Sequence, residues 1–199
     1  MKKDREPTYS FDILTLVLIV VDTVLAALSI AILPGKDASG ASIPGVSLIY
    51  VAVAFMILFT LWFGAYGAIA AYAGTLIGGG ILHAIPPAVA ILWSIAGLLQ
   101  VLIPLVAFRA FDVDPALGNR RDWTYLLLFG VLINNIIGAG WGAATLAIGE
   151  VIRNDQIGSV FSAWLLGNII VTLIILPIAL TRLTPKVQRS KLFVKHYWN

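Results

Sequence analysis

The sequence lacks cysteine entirely and contains little charge. Its 199 residues include no cysteine and two histidines, and only 12% are charged. Without cysteine the chain can form no disulfide, no thiolate metal site and no thiolate nucleophile. A soluble domain carries charge at about a quarter of its positions, so the low charge excludes an ordinary soluble fold. Hydrophobic residues make up 60% of the chain, and the mean hydropathy is +0.96, which predicts a membrane protein with several spans.

Sequence signatures of catalysis are also missing. The chain shows no Ser-His-Asp set, no HExxH, no phosphate-binding loop and no paired intramembrane carboxylates. Ion-pump chemistry would need more buried charge than Asp22 alone. The net charge of +3 lies in loops and tails, where it reflects membrane topology rather than binding to nucleic acid. We therefore expect no enzyme, and no cofactor or metal in this chain.

Six apolar segments approach the roughly 20 residues that a helix needs to cross a bilayer. They are Phe11–Leu33, Pro44–Phe63, Ala65–Leu82, Ile85–Phe108, Thr124–Ile152 and Ser159–Thr181. This predicts an all-α integral membrane protein with six transmembrane helices. The membrane domain would cover residues 11–181, between an N-terminal tail at 1–10 and a basic C-terminal tail at 182–199. Only one residue separates the second and third segments, and Gly64 and Gly67 would give the backbone room for that tight turn.

The basic residues predict the orientation of these spans. With a cytoplasmic N-terminus, eleven of the 13 lie on the inner side: Lys2, Lys3, Arg5, Arg109, Arg120, Arg121, Arg182, Lys186, Arg189, Lys191 and Lys195. Only Lys36 and Arg153 lie on the outer side. Since short cytoplasmic loops collect Lys and Arg, both termini are expected to be cytoplasmic, in the cell membrane.

Two adjacent amides, Asn134 and Asn135, lie near the middle of the fifth segment. An amide in hydrocarbon without a partner costs about 2–7 kcal/mol, so this pair needs an explanation. Asn134 shares a helix face with Trp141. Asn135 begins a stripe of small residues that continues at Gly138 and allows another helix to approach closely. Our hypothesis is that Asn134 reaches a bound solute while Asn135 joins helices.

The neighbouring segments bring further aromatic and polar groups to similar depths. The sixth presents Trp164 and Asn168 on one face, and the fourth carries Trp93 and Gln100. Aromatic walls with a few polar groups are typical of a small-molecule pocket. The same amides can also serve only as hydrogen bonds between helices. Glu150, at the outer end of the fifth segment, either closes the mouth of a pocket or belongs to a solvated loop.

Asp22 lies at mid-depth in the first segment. An ionisable group in a span is a functional candidate, because its burial is expensive. No Lys or Arg lies at the same depth to pair with it. The side chain is therefore either neutral or bonded to Thr23 or to an amide on a neighbouring helix.

Several stretches resemble a known family. They are LWFGAYGAIAAYAGTLIGG at Leu61–Gly79, AALSIA with Ala27 and Ala31, WLLGN in the sixth segment, and the closing LTRLTPKV. Together with six short spans and both ends inside, they are similar to the substrate-binding S components of energy-coupling-factor (ECF) vitamin transporters. The similarity extends over nearly the whole chain.

The resemblance implies capture of a vitamin-like or heteroaromatic solute from the outer side and delivery through an ATP-driven complex. Separate ATPase subunits would hydrolyse the ATP, and Ala27 and Ala31, in an AxxxA pattern, would dock on a membrane coupling subunit. The site would be walled by helices four to six. By position, its candidate residues are Trp93, Asn134, Trp141, Glu150, Trp164 and Asn168.

Two other interpretations remain open. Integral sensor domains of the MASE1 type also end in a helix with a W…G…P pattern similar to Trp164, Gly167 and Pro177, and would require a signalling partner. An accessory subunit of a larger membrane complex would use its polar residues only to join helices. Recovery of a coupling subunit, of a kinase, or of a stoichiometric assembly without ligand would distinguish the three.

Overall fold

The chain folds into six helices and one small hairpin, within the residues that the computed structural model describes, 9–36 and 40–195. The helices are α1 (Tyr9–Ile32), α2 (Ala52–Phe63), α3 (Ala65–His83), α4 (Pro87–Ala110), α5 (Arg120–Ile148) and α6 (Asn154–Val187). Strands β1 (Pro34–Lys36) and β2 (Ser42–Ser47) pair antiparallel between α1 and α2. Most of the predicted N-terminal tail, residues 1–8, lies outside the described residues, as do residues 37–39 and 196–199 of the C-terminal tail.

Five helices of the described chain are long and apolar enough to cross a membrane: α1, α3, α4, α5 and α6. Large apolar side chains cover their outer surface. On α1, for example, Leu16 and Val20 are 63% and 61% exposed. A bundle with such a surface is stable only where lipid covers it, which indicates a membrane-embedded protein.

The prediction of one continuous helix over Pro44–Phe63 is wrong. Its first residues belong to β2, and α2 does not begin until Ala52. Pro44 has no N–H to donate, and Gly45 has φ of +72°, so the backbone leaves helical geometry here. The 12 residues of α2 span only about 18 Å at 1.5 Å per residue, which is too short to cross a bilayer alone.

The tight turn predicted between α2 and α3 is confirmed. Gly64 joins the two helices with φ of +61°, and α3 begins at the next residue. A Cβ on Gly67 would lie 2.5 Å from the carbonyl carbon and oxygen of Phe59. Glycine at both positions therefore lets α3 fold back directly against α2.

The two ends of the bundle hold different elements of the chain. The hairpin end holds β1, β2 and the start of α6, above a buried cluster that includes Ile43, Trp93 and Trp164. The tail end holds the α4–α5 loop and the residues after α6. A larger apolar cluster, containing Met56 and Leu176, fills the rest of the core.

The described part of the predicted C-terminal tail is packed on the bundle. Helix α6 continues beyond Thr181 to Val187, and the chain then turns back. Val194 is buried and donates its N–H to the Trp62 carbonyl over 2.9 Å. The Arg109 guanidinium donates to the carbonyls of Val194 and Lys195. These bonds fix the tail against α2 and α4.

Candidate functional site

The chain from the end of β2 to α2 packs on the bundle in a non-helical conformation, with Ser47 and Tyr50 buried and Leu48 and Ile49 partly exposed. The Ser47 hydroxyl donates to the Ser29 carbonyl over 2.7 Å. On α6, Gly167 packs so closely on the Leu48 carbonyl that a Cβ there would collide with it. Gly167 lies about 15 Å along α6 from Ile157, at 1.5 Å per residue. The non-helical chain that contacts Gly167 therefore reaches well below the hairpin end. Non-helical backbone is tolerated at membrane depth where protein buries it or where it lines a cavity.

A small enclosed cavity lies beside this segment. Its polar and aromatic lining comes from Ser47, Tyr50, Thr75, Trp93, Gln100 and Trp164, with Gly45 and Gly97 completing the wall. The segment 42–51, α3, α4 and α6 therefore all contribute to it. The cavity leaves ≈ 10 Å³ for the centre of a water-sized sphere. That is room for about one water molecule.

Two hydrogen-bond donors of the lining residues are buried without a partner. They are the indole N–H groups of Trp93 and Trp164. The Tyr50 hydroxyl has the Thr75 hydroxyl beside it as a hydrogen-bond partner. The two indole rings lie next to each other, with centroids 5.7 Å apart and planes inclined by 51°. An indole N–H can only donate, so these groups would be satisfied by an occupant that offers lone pairs. A buried donor left without an acceptor costs about 1–3 kcal/mol.

Glycines set the positions of both indoles. A Cβ on Gly79 would lie 2.8 Å from Cη2 of Trp93, and a Cβ on Gly142 would collide with the Trp164 ring. Gly79 belongs to a π-helical stretch of α3, Thr75–Gly80, which also supplies Thr75 to the cavity wall. Such π-helical turns inside α-helices are frequent at functional sites.

Asn135 joins three helices, as predicted. Its Oδ1 accepts a 2.9 Å bond from Gln100 of α4, and its Nδ2 donates to the Thr172 hydroxyl of α6 over 3.1 Å. The same Nδ2 bonds the Val131 carbonyl of its own helix over 2.8 Å. The Gln100 side chain fills the space where a Cβ on Gly138 would lie. The stripe of small residues on α5 therefore admits a polar side chain from α4.

The structure brings two of the six predicted site residues, Trp93 and Trp164, together at the cavity. Asn134 and Asn168 are buried, and the amide atoms of both lack hydrogen-bond partners, but neither residue lines the cavity. Trp141 is 40% exposed and donates its indole N–H to the Leu92 carbonyl over 2.8 Å. It lies outside the cavity.

Glu150 also lies outside the cavity, in the loop after α5, where it is exposed with φ of +57°. Arg153 and Asp155 form an ion pair of 2.7 Å in the same region. Hydrogen bonding from the Arg153 guanidinium holds the pKa of Asp155 below its ordinary range. The pair is exposed, so its contribution to stability is small.

The two predicted docking residues lie on the outer side of α1. Ala27 is half-buried and Ala31 is exposed. They continue the apolar surface that includes Val24 and Leu28, which are 49% and 50% exposed. This surface is available to lipid or to another membrane helix.

Three residues of the cavity wall, Ser47, Tyr50 and Thr75, did not stand out in the sequence. Apolar length alone predicts that Ser47 and Tyr50 belong to one uninterrupted helical span. The Pro44-Gly45 pair is the signal that could have located them, because that dipeptide marks a break in a helix.

These features define a membrane-embedded helical protein that encloses a small, partly polar cavity at one end of its bundle. No protein-family model, no curated protein and no solved structure matches the chain. The function is therefore argued from the cavity and from the distribution of charge.

Proposed function

We propose that the protein captures a small solute in the cavity at the hairpin end of the bundle. The observation that carries this proposal is the presence of two unpartnered indole N–H groups, on Trp93 and Trp164, among the residues that line one small space. Unpartnered buried donors reduce stability, and a bound molecule that accepts their hydrogen bonds recovers that loss. A purely structural core at this position would be more stable with apolar residues.

We further propose six membrane crossings, with both termini cytoplasmic and the hairpin end outside. The second crossing combines the non-helical segment 42–51 with α2. The charge distribution supports this orientation. The exposed Lys36 and Arg153 belong to the hairpin end, whereas Arg120, Arg121 and Lys186 belong to the tail end. Solute would then enter from the outer side.

The proposed solute is vitamin-like or heteroaromatic. Two indole rings offer flat faces for stacking, and their N–H groups suit ring nitrogens or carbonyl oxygens. Pockets for such molecules measure about 300–1,000 Å³. The space of ≈ 10 Å³ is far smaller, so Trp93 and Trp164 must move apart when the solute binds.

Delivery of the solute is proposed to follow the ECF scheme. The support is the similarity of Leu61–Gly79 and of the Ala27–Ala31 pattern to S components, together with the exposed apolar side of α1. A membrane coupling subunit would dock on that side, and ATPase subunits would supply the energy. Affinity purification from the native membrane should recover both partners. A kinase, or an assembly that never contains a ligand, would contradict this scheme.

The decisive experiment is mass spectrometry of the small molecules released when the purified protein is denatured. A single compound in stoichiometric amount would establish capture and identify the solute. Protein that is consistently empty, and whose tryptophan fluorescence does not respond to vitamins or nucleobases, would contradict solute capture.

With the solute identified, Trp164→Ala should weaken binding by at least ~1 kcal/mol, about fivefold, through the lost stacking and hydrogen bond. Isothermal titration calorimetry would measure this change. Trp141→Phe is the matched control, because that indole is exposed and lies outside the cavity. Equal effects of the two substitutions would place the solute elsewhere.

A further inference from the structure

Asp22 lies in the middle of α1, on the side that packs against α3. It is 0% exposed, and neither carboxyl oxygen has a hydrogen-bond partner. The hydroxyl of the adjacent Thr23 is also buried without a partner. This carboxyl is separate from the cavity lining, and the proposed solute site makes no use of it.

Helix α3 packs closely against α1 at Asp22, whose side chain has no contact with solvent. A Cβ on Gly74 would lie 2.5 Å from the Asp22 Cβ. One turn further along α3, Gly78 packs against the Thr23 backbone, and a Cβ there would lie 3.0 Å from the Ala26 Cβ. Helices α1 and α3 are thus in close contact at Asp22 and over the following turn of α1. A proton is the one cation that needs no additional room.

No positive charge of the described residues balances Asp22. The titratable side chains of the elements packed against α1 are Tyr50, Tyr66, Tyr72, His83 and Lys36. Tyr66 stacks on Phe11, Tyr72 donates to a carbonyl of α4, and His83 contacts a carbonyl of its own helix. Lys36 is exposed at the end of β1. Tyr50 is buried, and its phenol carries no positive charge.

We propose that Asp22 is a proton-binding site whose proton holds α1 against the glycine face of α3. An isolated carboxylate in an apolar interior is far more costly than a neutral carboxyl. The closed α1–α3 contact therefore requires the neutral form, and loss of the proton favours separation of α1. Since α1 has less of its span buried, 28%, than any other long helix of the described chain, it is the helix best able to move. This site does not depend on the proposed solute.

Infrared spectroscopy of the protein in lipid vesicles tests the protonation directly. At neutral pH the wild type should show the C=O stretch of a neutral carboxylic acid, which shifts in D₂O. Asp22→Asn, nearly isosteric with the neutral acid, should abolish that band, and Asp12→Asn, an exposed position on the same helix, should leave it. Asp122 is the other buried carboxyl of the described chain. Asp122→Asn shows whether any part of the band comes from that carboxyl. A wild type without the band, or a band that Asp22→Asn leaves unchanged, would overturn the proposal.

The pH dependence of thermal unfolding provides a second test. A carboxyl that is neutral when folded and ionised when unfolded binds more protons in the folded state, so stability falls as pH rises. Between about pH 5 and 9, the melting temperature of the wild type should therefore fall relative to that of Asp22→Asn. Parallel curves would refute the link between the proton and the α1–α3 contact. Neither result bears on solute capture, which is measured separately by the released compounds.

Discussion

Asn134 and Asn135 show how differently two identical side chains behave at adjacent positions. Both are buried, but Asn135 bonds α4 and α6 while the Asn134 amide has no partner. The sequence predicted the role of Asn135 because its small-residue stripe is visible as a spacing. The role proposed for Asn134, contact with a solute, stays a prediction. The position of Tyr50 could not be predicted, because it depends on a helix break whose effect is tertiary.

Leucine substitutions should separate the two roles. Asn135→Leu removes interhelical hydrogen bonds and leaves the Gln100 amide without its partner, so it should lower the free energy of unfolding by about 1 kcal/mol. Asn134→Leu replaces an unpartnered amide with an apolar side chain of similar size, and it should leave stability unchanged or raise it. Denaturation in matched detergent micelles measures both. If Asn134→Leu destabilises the protein as much as Asn135→Leu, the amide of Asn134 has a structural partner.

At the scale of helices, the sequence predicts the five long spans, but it does not predict the structure of the second apolar segment. Continuous apolar length is sufficient to predict α1 and α3 to α6, because a bilayer imposes that length. Residues 44–63 satisfy the same criterion. Pro44 and Gly45 nevertheless break the helix, and the residues up to Ser47 belong to β2 of the hairpin instead. Hydropathy indicates which segments avoid water, but it does not distinguish a helix that faces lipid from a non-helical segment that packs on protein.

The α4–α5 contact offers a sharp test at this scale. In Gly138→Ala the added Cβ would collide with the Gln100 side chain, so Gln100 must move away from Asn135. We expect a loss of about 1–3 kcal/mol in unfolding free energy. Gly140→Ala, on the same helix, is the control, because its Cβ would lie 3.9 Å from Phe161 in ordinary contact. It should be neutral or slightly stabilising, since alanine favours helix. A tolerated Gly138→Ala would show that the two helices do not approach this closely.

At the scale of the whole molecule, the two ends of the bundle differ in both structure and charge. The hairpin end carries the cavity and few basic residues, and the tail end carries most of the basic residues and the returning C-terminal segment. Sequence alone predicted this asymmetry, since it depends on the order of loops and not on the detailed path of each span. The packing of residues 188–195 on Trp62 and Arg109 was not predicted, because nothing in a basic tail specifies which surface it meets.

Because the natural chain has no cysteine, single cysteines can report the orientation. Gly158, at the hairpin end, and Gly118, at the tail end, are both exposed positions with space for a side chain. In intact cells a membrane-impermeant maleimide should label Gly158→Cys but not Gly118→Cys. Permeabilisation should make both reactive. The opposite pattern would show that the topology is inverted. Labelling of both positions in intact cells would contradict the single crossing, by α5, that separates them.

The single-residue junction at Gly64 has a consequence for biosynthesis. Helix α2 alone is shorter than a bilayer crossing, and no polar loop separates it from α3. We therefore expect α2 and α3 to enter the bilayer together, as one folded-back pair. A longer junction at Gly64 would allow α2 and α3 to insert into the bilayer separately.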